Sequence, residues 1–458
     1  MKKNKICFLV NNNLKNDPRV SKQVKTALKA GFLVTVIGWD TALQTPKEET
    51  MPGYKLILGC LETKDLLNYP LMVVRARFAH YLRLVKRFIL SKSKLKAEKS
   101  TQVMSQVKTE QKDLPELFPA KSVEEKPNSW LEKIYKTISI FAFFYAWFRK
   151  INRFMAQAGI KAKPDIVHAN DLDTLIAGYL IKKQTGARLI YDAHEVWTEQ
   201  GMEMPSIIIR YFKLIEKKLL KSIDCFITVN ESIIAEISRM YRHQFKVPAL
   251  AVYNCPYYQK TKFKPARGKV KIIYQGRYSP GRGLENLVVA AQKMSSKGQL
   301  EFRALGDPRV KQKLEKMVKE RKLTNKVKFL EPVAMEDLVK AAASSDIGII
   351  SYLPGSINNK LCTPNKLFEY PMSGLALAVS DLPELRKFVI RFKNGVLFNP
   401  ENPKNIARAL DSLILSKSKL AEAKKQSLEA AKIMNWENEE KKLIKVYRDL
   451  AIGPKNRA

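Results

Sequence analysis

The sequence has few cysteines, few histidines and no long apolar run. The five cysteines are Cys7, Cys60, Cys225, Cys255 and Cys362. They are scattered, odd in number and form no Cys-x-x-Cys pair, which is typical of reduced thiols and predicts a cytosolic protein. The longest apolar run, Ile138 to Phe148, falls short of the about 20 residues that a membrane-spanning helix needs. The run from Ile6 to Val10 is too short for a signal peptide and fits a buried strand.

Acidic residues are also scarce relative to basic ones. The 458 residues include 82 Lys and Arg against 44 Asp and Glu, which leaves a formal net charge of +38. A hydrophobic fraction of 45% and a charged fraction of 28% are ordinary for a globular protein and exclude a mostly disordered chain. At about 150 residues per domain, the length indicates two or three domains. The excess positive charge predicts a polyanionic partner, which could be nucleic acid, an anionic membrane or a phosphorylated substrate.

Apolar strands alternate with helical segments in two separate series. The first series begins at Ile6 and the second near Lys269. Strands separated by helix-length segments predict parallel sheets covered by helices on both faces. We therefore predict an α/β protein with two doubly wound domains, whose ligands bind in the cleft between them. The predicted parts are an N-terminal domain at 1–255, a C-terminal domain at 256–430 and a final helical segment at 431–458.

The alternation breaks between residues 61 and 160, which predicts a helical and basic insertion in the N-terminal domain. The segment from Arg83 to Lys99 is strongly basic, and residues 100–128 are polar, as in a loop. The segment from Trp130 to Phe154 combines aromatic and basic residues. That combination is typical of a helix lying in a membrane interface, and a buried helix pair in the domain core is the alternative.

One candidate phosphate-binding segment runs from Tyr274 to Leu284, at the end of the first strand of the second series. Its glycines permit close approach of the backbone to a phosphate, and a helix follows. Arg277 and Arg282 could neutralise a diphosphate. The segment fits neither a Gly-x-Gly-x-x-Gly fingerprint nor a Walker loop, so a basic loop on a solvated face is the alternative.

A second candidate segment runs from Asn358 to Gly374. A polar turn there leads into a helix whose first turn could donate free N–H groups to an anion. Glu369 lies about one turn further on, where its carboxylate could accept two hydrogen bonds from a ribose diol. The alternative is a surface ion pair between Lys366 and Glu369.

A third candidate segment, Tyr191-Asp192-Ala193-His194-Glu195, ends a strand of the first domain. His168 ends the preceding strand, so two of the four histidines stand at matching strand ends where ligands bind. Histidine serves in acid–base and hydrogen-bonding roles near neutral pH, although a lone histidine is more often structural.

Taken together, these segments resemble retaining GT-B glycosyltransferases of the group 1, family 4-like type. The segments that carry the resemblance are Asp17-Pro18-Arg19-Val20, Asp165-Ile166-Val167-His168-Ala169-Asn170-Asp171, Tyr191-Asp192-Ala193-His194-Glu195, Gly276-Arg277 with Arg282-Gly283, Pro364-Asn365-Lys366-Leu367-Phe368-Glu369-Tyr370, and Trp436 through Tyr447. The resemblance implies two Rossmann-like domains, with the last helix crossing back to the first. It also implies transfer of a sugar from a nucleoside diphosphate sugar, with retention of configuration and without a metal or cofactor.

The resemblance also implies the roles of individual residues. The implied catalytic residues are His194, Arg277 and Arg282. The implied donor-binding residues are Gly276, Gly283, Val333, Asn359, Thr363, Pro364, Asn365, Lys366 and Glu369. The implied acceptor-side residues are Asn13, Asp17, Arg19, His168 and Asn170. The expected acceptor is a lipid-linked or nascent glycan, handled by an enzyme attached peripherally to the cytoplasmic face of an anionic membrane.

The sequence departs from the family pattern at two positions. Leu361 stands where the family's Glu-x7-Glu pattern has its first glutamate, which puts the contact with the donor sugar in doubt. Asn170 stands where the family often has histidine. Leu361 leaves open a catalytically degenerate, membrane-bound partner of another transferase, and a sugar-nucleotide 2-epimerase on the same fold is a further alternative. A nucleic-acid binder is disfavoured because zinc-finger spacing, RNP motifs and basic-region heptads are missing.

Overall fold

A computed structural model of the chain describes residues 3–15, 17–43, 45–60, 130–200, 205–242 and 244–452, without the side chains of residues 130–143. The expectations for Arg83 to Lys99 and for residues 100–128 lie outside the described residues. The strands are β1 (Lys5–Leu9), β2 (Leu33–Trp39), β3 (Lys47–Met51), β4 (Tyr54–Gly59), β5 (Ile166–Asn170), β6 (Arg188–Ala193), β7 (Cys225–Thr228), β8 (Ala249–Ala251), β9 (Lys271–Tyr278), β10 (Gln299–Gly306), β11 (Val327–Leu330), β12 (Ile347–Ile350), β13 (Ala376–Ser380) and β14 (Gly395–Phe398).

Helices occupy most of the segments between the strands. The helices are α1 (Pro18–Lys29), α2 (Trp130–Ala162), α3 (Leu172–Thr185), α4 (Ser206–Leu219), α5 (Glu231–Tyr241), α6 (Leu284–Lys293), α7 (Pro308–Glu320), α8 (Leu338–Ala342), α9 (Ile357–Lys360), α10 (Lys366–Met372), α11 (Pro383–Phe392), α12 (Pro403–Ile414), α13 (Lys417–Ile433) and α14 (Trp436–Ile452). Short 3₁₀ turns span Trp197–Glu199 and Met335–Asp337.

The first sheet has the strand order β3-β4-β2-β1-β5-β6-β7-β8. All neighbouring strands are parallel except β3 and β4, which form an antiparallel hairpin. Strand β1 lies centrally, and Ile6 is paired with Val34 on one side and Ile166 on the other. This confirms the predicted parallel, doubly wound arrangement. The hairpin was not predicted, because Lys47–Met51 is a mostly exposed edge strand without a regular apolar alternation.

Helices cover both faces of the first sheet. One apolar cluster joins α2, α3 and α4 to the sheet, and a second joins α1 and α14 to the opposite face. Trp436, Leu443 and Tyr447 of α14 belong to that second cluster. The last described helix therefore packs on the first domain.

The connections between the two domains converge on α1. The indole N–H of Trp436 donates to Thr26 Oγ1 at 3.0 Å, and the backbone N–H of Trp436 donates to the Pro256 carbonyl at 2.9 Å. The ammonium of Lys22 donates to the Cys255 carbonyl and lies 4.7 Å from the Trp436 ring centroid. The two chain segments that connect the domains, one near Cys255 and the other near Trp436, therefore both contact α1.

The second sheet is entirely parallel, in the order β11-β10-β9-β12-β13-β14. Helices α6, α7 and α12 pack on one face and α10 and α11 on the other, while α13 contributes to the apolar clusters of both faces. Strand β9 lies next to β12, where the strand order reverses direction. In open parallel sheets, ligands bind at the carboxyl ends of the strands at such a reversal.

The described side chains of α2 favour the core interpretation of the aromatic segment over the membrane one. Phe148, Ile151 and Met155 are buried in the cluster with α3 and α4, and the Phe148 and Phe212 ring centroids are 4.6 Å apart. These side chains occupy every third or fourth position, so one stripe of α2 faces the domain. No helix in the described ranges is both long enough and apolar enough to cross a membrane.

Candidate functional site

The carboxyl ends of the parallel strands in both domains face one cleft. The loop after β6 contributes His194 and Glu195, and the short helix α9 after β12 contributes Asn358. The side-chain amide of Asn358 donates to Glu195, and its oxygen accepts from the Val196 N–H at 3.3 Å. Segments that are far apart in the chain therefore meet at this point of the cleft.

His194 is oriented by Asp171 at the floor of the cleft. One carboxylate oxygen of Asp171 lies 3.0 Å from His194 Nδ1, and the other accepts from the His194 backbone N–H at 3.0 Å. His194 Nε2 lies 3.3 Å from Asn170 Oδ1. Burial alone would lower the pKa of His194, but the charge and hydrogen bond of Asp171 raise it to about 9. The ring is therefore cationic at neutral pH while its side chain stays partly accessible.

The backbone of Asp171 is strained. It has φ of 61° and ψ of 166°, a region that is open mainly to glycine and that costs a residue with a Cβ about 1–3 kcal/mol. The Asp171 side chain forms no cap on α3 and instead holds His194. Such strain is found most often at functional sites, so the backbone geometry independently indicates a function for the His194–Asp171 pair.

Arg19 and His168, expected on the acceptor side, are instead buried beneath this floor. The Arg19 guanidinium binds Asp192 through two nitrogens at 2.7 and 3.0 Å and donates to the Val252 carbonyl at 2.8 Å. His168 Nδ1 lies 3.0 Å from the Tyr447 hydroxyl, and Nε2 lies 3.4 Å from Asp192. Burial lowers the pKa of His168. Neither side chain reaches the cleft, so both support the loop that carries His194 from below.

The other residues expected on the acceptor side make local contacts. Asp17 caps α1 by accepting from the Val20 N–H at 3.0 Å, and Asn13 donates to Asp40 at 3.1 Å. Asn170 is buried and donates to the Leu9 carbonyl at 3.1 Å. Of these three, only Asn170 is placed next to His194.

Two carboxyl groups near His194 carry strongly raised pKa values. Burial and the nearby Asp171 raise the pKa of Glu195 to about 7. The same two causes raise the pKa of Asp173 to about 7, although Asn11 donates to Asp173 at 2.8 Å. Groups that titrate near neutral pH are suited to proton transfer or to binding sugar hydroxyls.

On the second-domain side of the cleft, the side chains of Lys366 and Arg282 each lie over the ring of a tyrosine. The Lys366 ammonium lies 4.1 Å from the Tyr274 ring centroid, and the Arg282 guanidinium carbon lies 4.0 Å from that of Tyr352. Among the described residues, neither Lys366 nor Arg282 forms an ion pair with a carboxylate. Burial, together with Arg282, lowers the pKa of Lys366 to about 7. A buried ammonium beside a second cation is costly unless an anion joins it, so this cation pair could bind an anionic ligand.

Two glycines bring the backbone close to this cation pair. A Cβ on Gly276 would lie 2.8 Å from Lys366 Nζ, and a Cβ on Gly283 would lie 2.3 Å from the Ser351 carbonyl oxygen. Gly283 also has φ of 66° as it begins α6. Arg277, next to Gly276, is exposed at the end of β9.

The remaining residues expected to bind the donor border the same end of the second domain. Burial raises the pKa of Glu369, and the nearby Lys366 and Lys22 oppose that shift. The other members lie near the surface: Val333, Asn359, Thr363 and Pro364 are half-buried, and Asn365 is exposed. Thr363 accepts from Asn230 of the first domain at 3.3 Å, and Asn365 accepts from Asn254 of the connecting segment at 2.9 Å.

Several residues at this site were not identified from the sequence. Tyr274 and Tyr352 form the aromatic support of the cations, Asp171 orients His194, and Glu195 bonds across the cleft. Tyr274 and Tyr352 do lie at or just beyond strand ends, which is a usable signal. The pairing of each ring with a cation needs the fold, because the partners come from distant parts of the chain.

Comparison with protein families agrees with this arrangement. Residues 259–430 match the model described as Glycosyl transferases group 1, and residues 118–249 match Glycosyltransferase Family 4. The two matches fall in the second and first domains, respectively. A search of curated proteins found no match.

Solved structures share the fold over nearly the whole chain. Sucrose-phosphate synthase from Thermosynechococcus elongatus has a TM-score of 0.61 at 15% identity, covering 97% of this chain and 99% of the other. An alpha,alpha-trehalose-phosphate synthase (UDP-forming) from Burkholderia vietnamiensis has a TM-score of 0.60 at 12% identity, and the match covers 97% of this chain and 100% of the other. The Anabaena protein HepE, solved with UDP and glucose, has a TM-score of 0.59 at 12% identity, and the match covers 97% of this chain and 99% of the other. At these identities the likeness establishes the two-domain fold alone.

Proposed function

Because the chain belongs to the group 1 glycosyltransferases of GT-B fold, we propose that it transfers a sugar from a nucleoside diphosphate sugar to a lipid-linked or nascent glycan. The proposed transfer retains the anomeric configuration and requires no metal or cofactor. The structural neighbours that were solved with UDP support a nucleoside diphosphate as the leaving group.

The observation that carries this proposal is the cation pair of Lys366 and Arg282. Both side chains lie on tyrosine rings, and neither has a carboxylate partner within the described part of the chain. A diphosphate would supply the missing negative charge. Arg277, exposed beside them, would extend the positive surface, and Glu369 would accept hydrogen bonds from the ribose.

The proposed reaction breaks the bond between sugar C1 and the diphosphate oxygen. Negative charge then builds on the leaving diphosphate while the sugar becomes oxocarbenium-like. Stabilisation of the leaving group by preorganised cations is the largest expected contribution to the rate. The acceptor hydroxyl forms the new bond to C1 and loses its proton to the departing phosphate.

His194 would face the transferred sugar from the first domain. With Asp171 bound to its Nδ1, the imidazolium is held in one orientation. Asp171 is occupied by this contact, and Glu195 is occupied by Asn358, so neither is free to attack C1. We therefore favour attack on the same face as the departing phosphate over a double displacement.

A thermal-shift screen with UDP, GDP, ADP and their sugars tests this function. A ligand present at 100 times its dissociation constant should stabilise the protein by about 2.7 kcal/mol. Transfer or donor hydrolysis by the purified chain would then exclude a non-catalytic partner. Epimerised sugar nucleotide formed without any acceptor would instead identify a 2-epimerase. If no nucleotide or sugar nucleotide shifts the melting temperature, the proposed function is incorrect.

We further propose that the enzyme works at the cytoplasmic face of an anionic membrane. The outward face of α4 supports this, because exposed Ile207 and Leu214 alternate with basic residues. The exposed basic residues on and just after α4 are Arg210, Lys217, Lys218 and Lys221. Each lysine or arginine near an anionic leaflet contributes about 1 kcal/mol, and the apolar side chains would enter the interface.

Replacing Leu214 with glutamate should weaken binding to anionic liposomes by tenfold or more. The change removes an apolar anchor and adds like charge facing the lipid, worth together about 2 kcal/mol or more. Leu415 is the matched control, since both leucines are 68% exposed and Leu415 lies in the second domain. Vesicle co-sedimentation at low and high salt measures the effect. Equal binding to neutral and anionic vesicles, or equal loss in Leu415→Glu, would contradict the membrane proposal.

A further inference from the structure

The first domain holds one loop of the second domain through several hydrogen bonds. We use the name donor loop for residues 356–363, which contain Asn359 and Thr363 of the expected donor-binding set. Asn230, which begins α5 in the first domain, donates from Nδ2 to the Leu361 carbonyl at 2.7 Å and to Thr363 Oγ1 at 3.3 Å. Thr363 Oγ1 in turn donates to the Val229 carbonyl at 3.4 Å. The donor loop is therefore bound to the opposite domain at its carboxyl end.

The oxygen and the nitrogen of the Asn230 side chain bond to different segments of the chain. It is fully buried, and its oxygen accepts from the Ile233 N–H at 2.9 Å as the N-cap of α5. Its nitrogen has two hydrogens, one for each of the two acceptors in the donor loop. A serine at this position would keep a capping oxygen and lose both donors.

Apolar contacts hold the donor loop in the same position. Ile357 and Leu361 are partly buried against the core cluster of the first domain. The amino end of the loop is further fixed by the contact of Asn358 with Glu195. Close to the loop, the Leu353 N–H donates to the Gly281 carbonyl at 2.9 Å, next to Arg282. Lys366 of the cation pair follows Thr363 by three residues, so the donor loop links the first domain to this cation along the chain.

We infer that Asn230 is a positioning residue for donor binding: it sets the conformation of the donor loop from the opposite domain without touching the donor itself. The inference rests on the proposed function, because it assumes that the loop contacts a nucleoside diphosphate. Without the two hydrogen bonds from Asn230, the Leu361 carbonyl and Thr363 hydroxyl are no longer fixed. Part of the binding energy of the nucleotide must then be used to order the loop.

The test compares Asn230→Ser with a matched control at Asn402. Asn402 is the N-cap of α12, where its oxygen accepts from the Lys404 and Asn405 N–H groups, and it lies outside the cleft. Serine keeps a helix cap at both positions, so both variants should fold. Asn230 is buried and Asn402 is exposed, so Asn230→Ser should lower the urea midpoint more than Asn402→Ser. Asn230→Ser should weaken UDP binding about tenfold in titration calorimetry, as expected for two lost hydrogen bonds, and Asn402→Ser should leave it unchanged. The KM for the sugar nucleotide should rise more than kcat falls.

A second variant guards against poor folding of Asn230→Ser. Leu361→Ala shortens the apolar contact with the first domain while leaving the cap of α5 intact, and it should also weaken UDP binding. Unchanged UDP affinity in both Asn230→Ser and Leu361→Ala, with a wild-type protein that binds UDP, would overturn the inference and leave the proposed function standing. A wild-type protein that binds none of UDP, GDP and ADP would instead refute the proposed function and this inference with it.

Discussion

Replacing Arg282 with alanine is expected to lower turnover by two or more orders of magnitude while the fold survives. The guanidinium lies over the Tyr352 ring, and under the proposed function it would stabilise the charge that develops on the departing diphosphate. Removal of one preorganised group of this kind from an active site costs about a hundredfold to a thousandfold in kcat. The effect should appear in kcat as well as in kcat/KM, because the interaction strengthens as the bond to C1 breaks.

Arg277→Ala should reduce turnover in the same way, and Arg321→Ala serves as the control. Arg321 is also an exposed arginine of the second domain, but it lies after α7 and bonds Gln292. Steady-state assays with the sugar nucleotide, together with circular dichroism, separate lost catalysis from lost folding. Wild-type turnover in both Arg277→Ala and Arg282→Ala would show that the diphosphate assignment is incorrect.

The largest effect on stability is expected for Asp192→Ala. Asp192 is fully buried, and its main partner, Arg19, is 3% exposed. Removing the carboxylate leaves the guanidinium buried without its partner, which costs about 3–5 kcal/mol of unfolding free energy. The urea midpoint of the transition that includes the first domain measures this loss. The double variant Arg19→Met/Asp192→Leu should recover only part of it, because an apolar pair needs no compensating charge but leaves buried Gln23 and His168 without the Asp192 carboxylate.

Asp381→Ala is the matched control for this experiment. Asp381 also binds an arginine, Arg386, through two nitrogens, but on the surface of the second domain. An exposed pair contributes about 0–1 kcal/mol, so the control should change little. A loss at Asp192 no larger than the loss at Asp381 would contradict the importance of the buried pair.

The same pair predicts how stability depends on pH. Burial alone would raise the pKa of Asp192, but the charge of Arg19 and the bond with His168 hold it well below its usual range. A depressed pKa stabilises the folded state above the unfolded value of about 3.9, and this contribution is lost as the pH falls below that value. Wild-type protein should therefore lose more stability than Asp192→Ala between about pH 5 and pH 2.

The alternation of apolar strands and helices predicted from near Lys269 is the arrangement that the second sheet has. Ile347–Ile350, for example, is a short apolar run that forms a fully buried central strand. In the first domain, the hairpin of β3 and β4 was missed. Edge strands are solvated on one side, so their pattern carries less of the core signal than that of central strands.

At the site, the sequence identified residues that end strands but could not assign their roles. The prediction that His168 and His194 occupy matching strand ends is wrong, because His168 lies inside β5, paired with Ile190, whereas His194 follows the end of β6. His168 is therefore buried in the core, where it contacts Tyr447, and His194 lies on the cleft floor. The backbone strain at Asp171 also has no signal in the sequence, since it depends on how the loop closes around His194.

Leu361 shows how a departure from a family pattern can be accommodated. Its side chain packs against the core of the first domain, and its carbonyl accepts from Asn230. A carboxylate at this position would be buried against apolar side chains at considerable cost. Under the proposed function, the contact with the donor sugar would therefore come from other residues of the cleft.

Helix α14 links the order of synthesis to the order of folding. The sheet of the first domain is complete at Ala251, but one of its faces also needs Trp436, Leu443 and Tyr447. Tyr447 bonds His168, which leaves the ribosome 279 residues earlier. Apolar surface around Phe8 thus stays uncovered while the second domain is being made, a stage at which chains are prone to aggregate and to engage chaperones. Of the two domains, the first is translated earlier, but the apolar cluster on one face of its sheet is completed only when α14 packs on it.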